Sequence, residues 1–205
     1  MTAKKTMGAA ILAAAIALTA GEAHAEGFFR KLFSGGFDVQ PVEATPGAQV
    51  PMKYKRQRVR YSGSEAPGTI VIDSQNKYLY LVEGNNRAMR YGVGVGREGF
   101  GWQGEVKVGR KAEWPTWVPP AEMRARERKK GRILPASMEG GPKNPLGARA
   151  MYLYDRGRDT MYRIHGTSEP WTIGYNVSSG CIRMVNADVT DLYERTPIGT
   201  KVVVR

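Results

Sequence analysis

Residues Thr69–Glu83 read TIVIDSQNKYLYLVE, and this stretch decides the fold. Thr69–Asp73 (TIVID) and Tyr78–Glu83 (YLYLVE) are dense in β-branched and aromatic residues, which suit a pleated, half-buried surface. Ser74-Gln75-Asn76-Lys77 between them is short and polar, the composition of a hairpin turn. Working outward, Gly84-Asn85-Asn86 is a second turn, and Arg87–Val95 continues the meander as a third strand. Val106–Arg110, Ala150–Tyr154, Met161–His165 and Lys201–Val204 are further strand candidates. Only Ala187–Arg195 reads as a helix, with Asn186 as its N-cap, Asp188 complementing the first-turn dipole, and Pro197 and Gly199 closing it. The expected class is mainly β, a sandwich or barrel with one short packed helix. Trp114–Gly147 is rich in Pro and Gly around a charged run, Glu122–Arg132. A loop of that length inside a small domain is expected to be a lid or binding loop.

The 205-residue chain is 41% apolar and 24% charged, enough for one buried core and unlike a disordered chain. Lys4 and Lys5, the apolar run Gly8–Ala20 and Ala23-His24-Ala25 together form a secretory signal over residues 1–25. The apolar run is shorter than a membrane span, so no transmembrane segment is expected in the mature chain. Export follows, and cleavage would lower the net charge of +12 by one. Residues 26–66 read as a linker, broken by Pro41, Pro46 and Pro51 and carrying the basic run Lys53–Arg58. The folded domain is expected over 67–205.

Gly92–Gly104 matches G-x-G-x-x-G twice, but a dinucleotide site needs a helix opening directly after the glycines, and Gly99, Gly101 and Gly104 disfavour one. Export and the neighbouring prolines likewise argue against reading Trp102, Trp114 and Trp117 as a nucleic-acid platform. The informative count is in the mature chain: one cysteine, Cys181, and one histidine, His165. One cysteine excludes a disulfide framework and a multi-cysteine zinc site. A thiol becomes a nucleophile when a base, a cation or a helix N-terminus favours its thiolate. His165, Arg183 and the helix from Ala187 are candidates for those roles, so the expectation is a thiolate populated below the ordinary cysteine range. The amides of Gly180 and Cys181 could bind a developing oxyanion. A buried structural cysteine beside a hydrogen-bonded histidine remains the alternative.

Ile164-His165-Gly166-Thr167, followed by Ser178-Ser179-Gly180-Cys181-Ile182-Arg183-Met184 and Asn186, resembles the signature of the L,D-transpeptidase (YkuD-like) catalytic domain. Trp117-Val118-Pro119-Pro120 with Met123, and Asn144-Pro145-Leu146-Gly147, are similar to further blocks of that family. The family usually has S-H-G-C; here Ser179 takes the histidine's place. The resemblance implies a YkuD-like β-sandwich or barrel acting on peptidoglycan stem peptides in a Gram-negative-type periplasm, without a cofactor. It implies Cys181 as nucleophile, His165 as general base and acid, and the Gly166 carbonyl orienting the imidazole. Arg183, Ser178, Ser179, Trp117 and Asn144 would contact substrate. The acceptor amine would belong to another stem, a D-amino acid or the N-terminus of an envelope protein such as an outer-membrane protein. The family also implies acylation by carbapenems. A hydrolase on the same scaffold and a non-catalytic wall-binding module are the competing readings.

Overall fold

The computed structural model describes residues 49–97 and 102–205, so the signal segment and most of the linker lie outside the described residues. In chain order the strands are β1 (Gln57–Arg60), β2 (Ile70–Asp73), β3 (Tyr78–Gly84), β4 (Arg87–Gly92), β5 (Val95–Gly96) and β6 (Gly104–Glu113). They continue as β7 (Arg149–Asp155), β8 (Arg158–His165), β9 (Asn176–Ser178), β10 (Ile182–Arg183) and β11 (Lys201–Val204). The expected β2–β3–β4 meander is present and antiparallel. Asp73 Oδ1 accepts the Asn76 N–H at 2.9 Å in the first turn. Asn85 and Asn86 have φ of +50° and +55° in the second, the left-handed pair that a two-residue hairpin requires.

A sheet of nine strands has the order β1-β4-β3-β2-β11-β6-β7-β8-β10, and β5 pairs with β9 separately. β11 joins β2 in parallel and β6 antiparallel, bringing the C-terminal strand to the sheet's centre. β2 is buried on both faces. Ile70 and Ile72 enter the main core with Leu79, Tyr91, Met151 and Leu153, whereas Val71 packs with Tyr61, Val82 and Ala88. The main core also takes Ile182 from the far edge of the sheet, so the sheet curls around a single interior. Gly94, just beyond β4, completes the curl by exchanging backbone hydrogen bonds with Arg183 of β10 at 2.8 and 2.9 Å. The mainly β sandwich-like expectation holds.

α2 (Asn186–Arg195 is its full extent) follows a shorter helix, α1 (Ala121–Lys129), so the expectation of one helix is corrected. α2 puts Val189 and Leu192 into the main core, each a burial of about 1.5–3 kcal/mol. α1 lies inside the segment read as a loop and buries none of its residues. It forms on local preference: Ala, Glu, Met, Arg and Lys favour helix, Glu122 is in the first turn, and Arg126, Arg128 and Lys129 are in the last. The Asn186 side chain does not cap α2, whose N-cap is Val185. Its Oδ1 instead accepts the N–H groups of Ala148 at 3.0 Å and Thr167 at 3.2 Å.

The linker expectation also gives way between Met52 and Arg60. Gln57–Arg60 pairs with β4 as an edge strand. The basic run is held by acidic partners: Arg58 Nε lies 2.7 Å from Glu83, and Arg56 Nη1 lies 2.9 Å from Asp191.

Candidate active site

β8 and β10 run parallel, with Ile164 against Ile182 and His165 against Arg183. Both isoleucines are in the core, and strand alternation turns Arg163, His165 and Arg183 to the other face, while Cys181 immediately precedes β10 beside the Arg163 backbone. Two distant segments thereby bring the thiol and the imidazole to neighbouring strands of one two-strand frame. His165 is buried, and its Nδ1 lies 2.6 Å from the Gly166 carbonyl oxygen. That carbonyl can only accept, so Nδ1 carries the hydrogen and Nε2 is left with a lone pair. Gly166 has to be glycine: a Cβ there would collide with Asn186 Oδ1, the oxygen that ties the Thr167 and Ala148 amides together.

Burial first, and then the Arg183 charge, push the His165 imidazole down to about 3, with a smaller push from Arg163, against the opposing hydrogen bond to Gly166. The resting imidazole is therefore neutral. Cys181 is partly buried, and its Sγ is 4.0 Å from the Met161 carbonyl oxygen. Burial pushes this thiol up, opposed by a hydrogen bond from the Arg163 backbone and by the Arg163 and Arg183 charges. The expected low thiolate threshold is thus corrected: desolvation outweighs the cations, and the resting pair is neutral thiol and neutral imidazole. Met161 is itself unusual, with φ +64° beside the register shift between β7 and β8 and its N–H held by Asp159 at 2.8 Å. The irregularity turns its carbonyl toward the sulfur.

The loop before Cys181 is fixed by Ser178, whose hydroxyl donates to the Cys181 carbonyl at 2.5 Å and accepts the Gly180 N–H at 3.1 Å. Ser178 therefore shapes the turn. Gly180 has φ +107°, a conformation that strains any residue with a Cβ. Its N–H is committed to Ser178, which changes the expected oxyanion pair. The Cys181 N–H has no protein acceptor among the described residues and is the remaining donor at the sulfur. Trp102 lines a narrow crevice with Val95, Gly96, Gly180 and Ile182, and stacks on Tyr162 at 5.1 Å.

Arg183 Nη1 lies 3.0 Å from Glu169 Oε2. Ser179 is exposed, and its Oγ accepts from Arg126 Nη2 of α1 at 3.3 Å, so the Trp114–Gly147 segment reaches the loop before Cys181. Trp117 exchanges backbone bonds with Met138 at 2.8 Å within that segment. Asn144 is a staple, not an open recognition group. Its amide nitrogen donates to the carbonyls of Pro115, Met138 and Glu139, and its oxygen accepts the Leu146 N–H at 2.8 Å. Sequence reasoning missed Arg163, Met161, Arg126 and Glu169. Arg163 was accessible, being two residues before His165 on the same strand face; Met161 and Glu169 reach the site through a bulge and a loop, and Arg126 through α1, a helix that the surrounding prolines and glycines obscure. The glycine run does not open a helix either, because Gly104 begins β6.

The model of the YkuD L,D-transpeptidase catalytic domain matches residues 67–204. The probable L,D-transpeptidase YbiS of Escherichia coli K12 is 38% identical over 139 residues, 66% of this chain and 43% of its own length. The probable L,D-transpeptidase ErfK/SrfK of Salmonella typhimurium is 34% identical over 171 residues, 78% of this chain and 53% of its own length. The chain thus spans about half the length of these curated relatives. A solved structure from Brucella melitensis, named a probable carnitine operon oxidoreductase, is 50% identical and covers 76% of this chain and 96% of its own, with a TM-score of 0.51. With the matched region running from before β2 to the last residue of β11 and including both His165 and Cys181, the chain belongs to the L,D-transpeptidase (YkuD) catalytic domain family.

Proposed function

We propose that the protein is an exported peptidoglycan L,D-transpeptidase with Cys181 as its nucleophile. The supporting observation is the β8–β10 frame, in which Cys181 lies just before the strand that neighbours His165, whose imidazole Nδ1 is locked to the Gly166 carbonyl. The Cys181 sulfur attacks the diaminopimelate carbonyl of a donor tetrapeptide as the thiol proton passes to His165 Nε2. The Cys181 N–H donates to the resulting oxyanion. Collapse breaks the peptide bond; the leaving D-Ala amine takes the proton from His165, and a thioester remains. An acceptor amine then attacks that carbon, gives a proton to His165, and restores the thiol when the C–S bond breaks.

A neutral resting pair means that proton transfer accompanies attack and no ion pair is stored beforehand. Arg183, beside His165 in register, binds a donor carboxylate, and the bound anion offsets part of the positive field that holds the imidazole down. α1 and the surrounding Trp114–Gly147 segment form the lid, which favours the amine over water at the thioester. The test is incubation with disaccharide tetrapeptide and an amine acceptor, with products weighed. Joined products with released D-Ala support the transferase; free tripeptide alone indicates a hydrolase. Binding with no turnover indicates a wall-binding module. Among the described residues no helix is long and apolar enough to cross a membrane. The periplasmic location rests on the segment 1–25 and on Gram-negative relatives such as YbiS.

A further inference from the structure

Arg183 is held in a half-made ion pair. Its Nη1 meets Glu169 Oε2 at 3.0 Å, while its Nε is buried without an acceptor among the described residues. A guanidinium presents its two terminal nitrogens, Nη1 and Nη2, as a fork suited to two parallel bonds with one carboxylate, and Glu169 engages only Nη1 of them. The arginine cannot easily move away, because its backbone is bonded to Gly94 in both directions and lies beside His165 in the sheet. Glu169 is placed differently. Its backbone is pinned: the N–H donates to Thr167 Oγ1 at 3.0 Å, and the carbonyl accepts from the Thr172 hydroxyl at 2.7 Å. Its side chain, however, is 51% exposed against 20% for Arg183, so a side-chain rotation into solvent is enough to release the guanidinium.

We propose that in the free enzyme Glu169 occupies, on Arg183, the seat of a donor carboxylate, and that donor binding exchanges one carboxylate for the other. The proposal rests on the donor reading given above and adds a residue that sets specificity. Glu169 acts through Arg183 and is not a catalytic residue. An anionic donor that engages both Nη1 and Nη2 gains a bond that Glu169 does not make, so it displaces the glutamate. An amidated donor cannot accept from the fork in that way, and Arg183 stays with Glu169. The exchange therefore selects for a free carboxylate near the attacked carbonyl. The seat belongs either to the terminal D-Ala or to the diaminopimelate side chain, and the two are separable by amidating each.

Equilibrium binding of disaccharide tetrapeptide to the full chain carrying Cys181→Ala isolates recognition from chemistry. Adding Glu169→Gln is expected to tighten binding about two- to fivefold, the range of an exposed ion pair. Glu169→Ala should move the affinity in the same direction, whereas a merely structural glutamate would weaken binding in both variants. Amidation at the seat should erase the difference, and amidation at the other carboxylate should preserve it. Equal affinities, weaker binding in the Glu169 variants, no binding to any of the proteins, or a difference that survives both amidations overturns the exchange. Acylation of the Cys181-containing protein is scored separately by intact mass. Tightening without any acyl-enzyme leaves the exchange standing and removes the transferase; acylation without tightening does the reverse.

Discussion

At the residue scale, the proposed nucleophile Cys181 and the proposed base His165 are both held in environments that oppose their charged forms. Desolvation dominates for His165 and for Cys181, although Arg163 and Arg183 stand close to both. The arginines act in opposite senses on the two groups, favouring a thiolate and disfavouring an imidazolium. Replacing Arg183 by Lys keeps the charge and loses the fork. We expect a roughly tenfold higher KM for the donor, with kcat changed less, as for a lost charge-assisted hydrogen bond. Unchanged steady-state kinetics would remove Arg183 from carboxylate recognition. Asn186 is the corresponding structural residue. Asn186→Ala leaves the Ala148 and Thr167 amides without their acceptor and should cost about 1–3 kcal/mol in urea denaturation, the range for an orphaned buried donor. An unchanged midpoint would show that water takes over the bond. Cys181 and His165 were legible as candidates in the sequence, from the residue types, the surrounding glycines and the family resemblance. The thiol's direction of shift was not, because burial comes from residues far apart in the chain.

At the element scale, strands that form by local pattern were legible and those that form by tertiary pairing were not. β2, β3 and β11 are runs of β-branched, aromatic and aliphatic residues, and the hairpin turns of the β2–β3–β4 meander carry Asp and Asn where the backbone needs them. β1 is basic and exposed along most of its length, and exists because β4 and the acidic side chains Glu83 and Asp191 receive it. β10 is two residues long and owes its place to β8 on one side and Gly94 on the other. α1 was hidden by the prolines and glycines around it. Because α1 buries nothing, substitutions on it should act on the site and leave the fold alone. Ser179→His, which restores the residue usual in the family, should keep the thermal midpoint within about 0.5 kcal/mol equivalent and leave acylation intact. Loss of folding would mean that this exposed position is packed against the lid.

At the scale of the whole molecule, the buried pair makes stability depend on pH. The His165 imidazole has an ordinary value of 6.5 and is held at about 3 in the folded chain. As pH falls below 6.5 the unfolded chain takes up a proton that the folded chain refuses, so this contribution to stability is complete above 6.5 and is lost progressively toward 3. His165→Gln removes the titrating group, and its denaturation midpoint should fall less steeply than wild type between about pH 6.5 and 4.5. Parallel slopes would contradict the neutral, buried imidazole. The proposed chemistry depends on the same frame, and the most direct measurement is intact mass after mixing the protein with disaccharide tetrapeptide. The account predicts a tripeptide-acyl adduct on wild type, none on Cys181→Ala, and formation slowed by at least about 10²-fold in His165→Ala, the scale of general-base catalysis. An adduct on Cys181→Ala, or wild-type rates without His165, would contradict it.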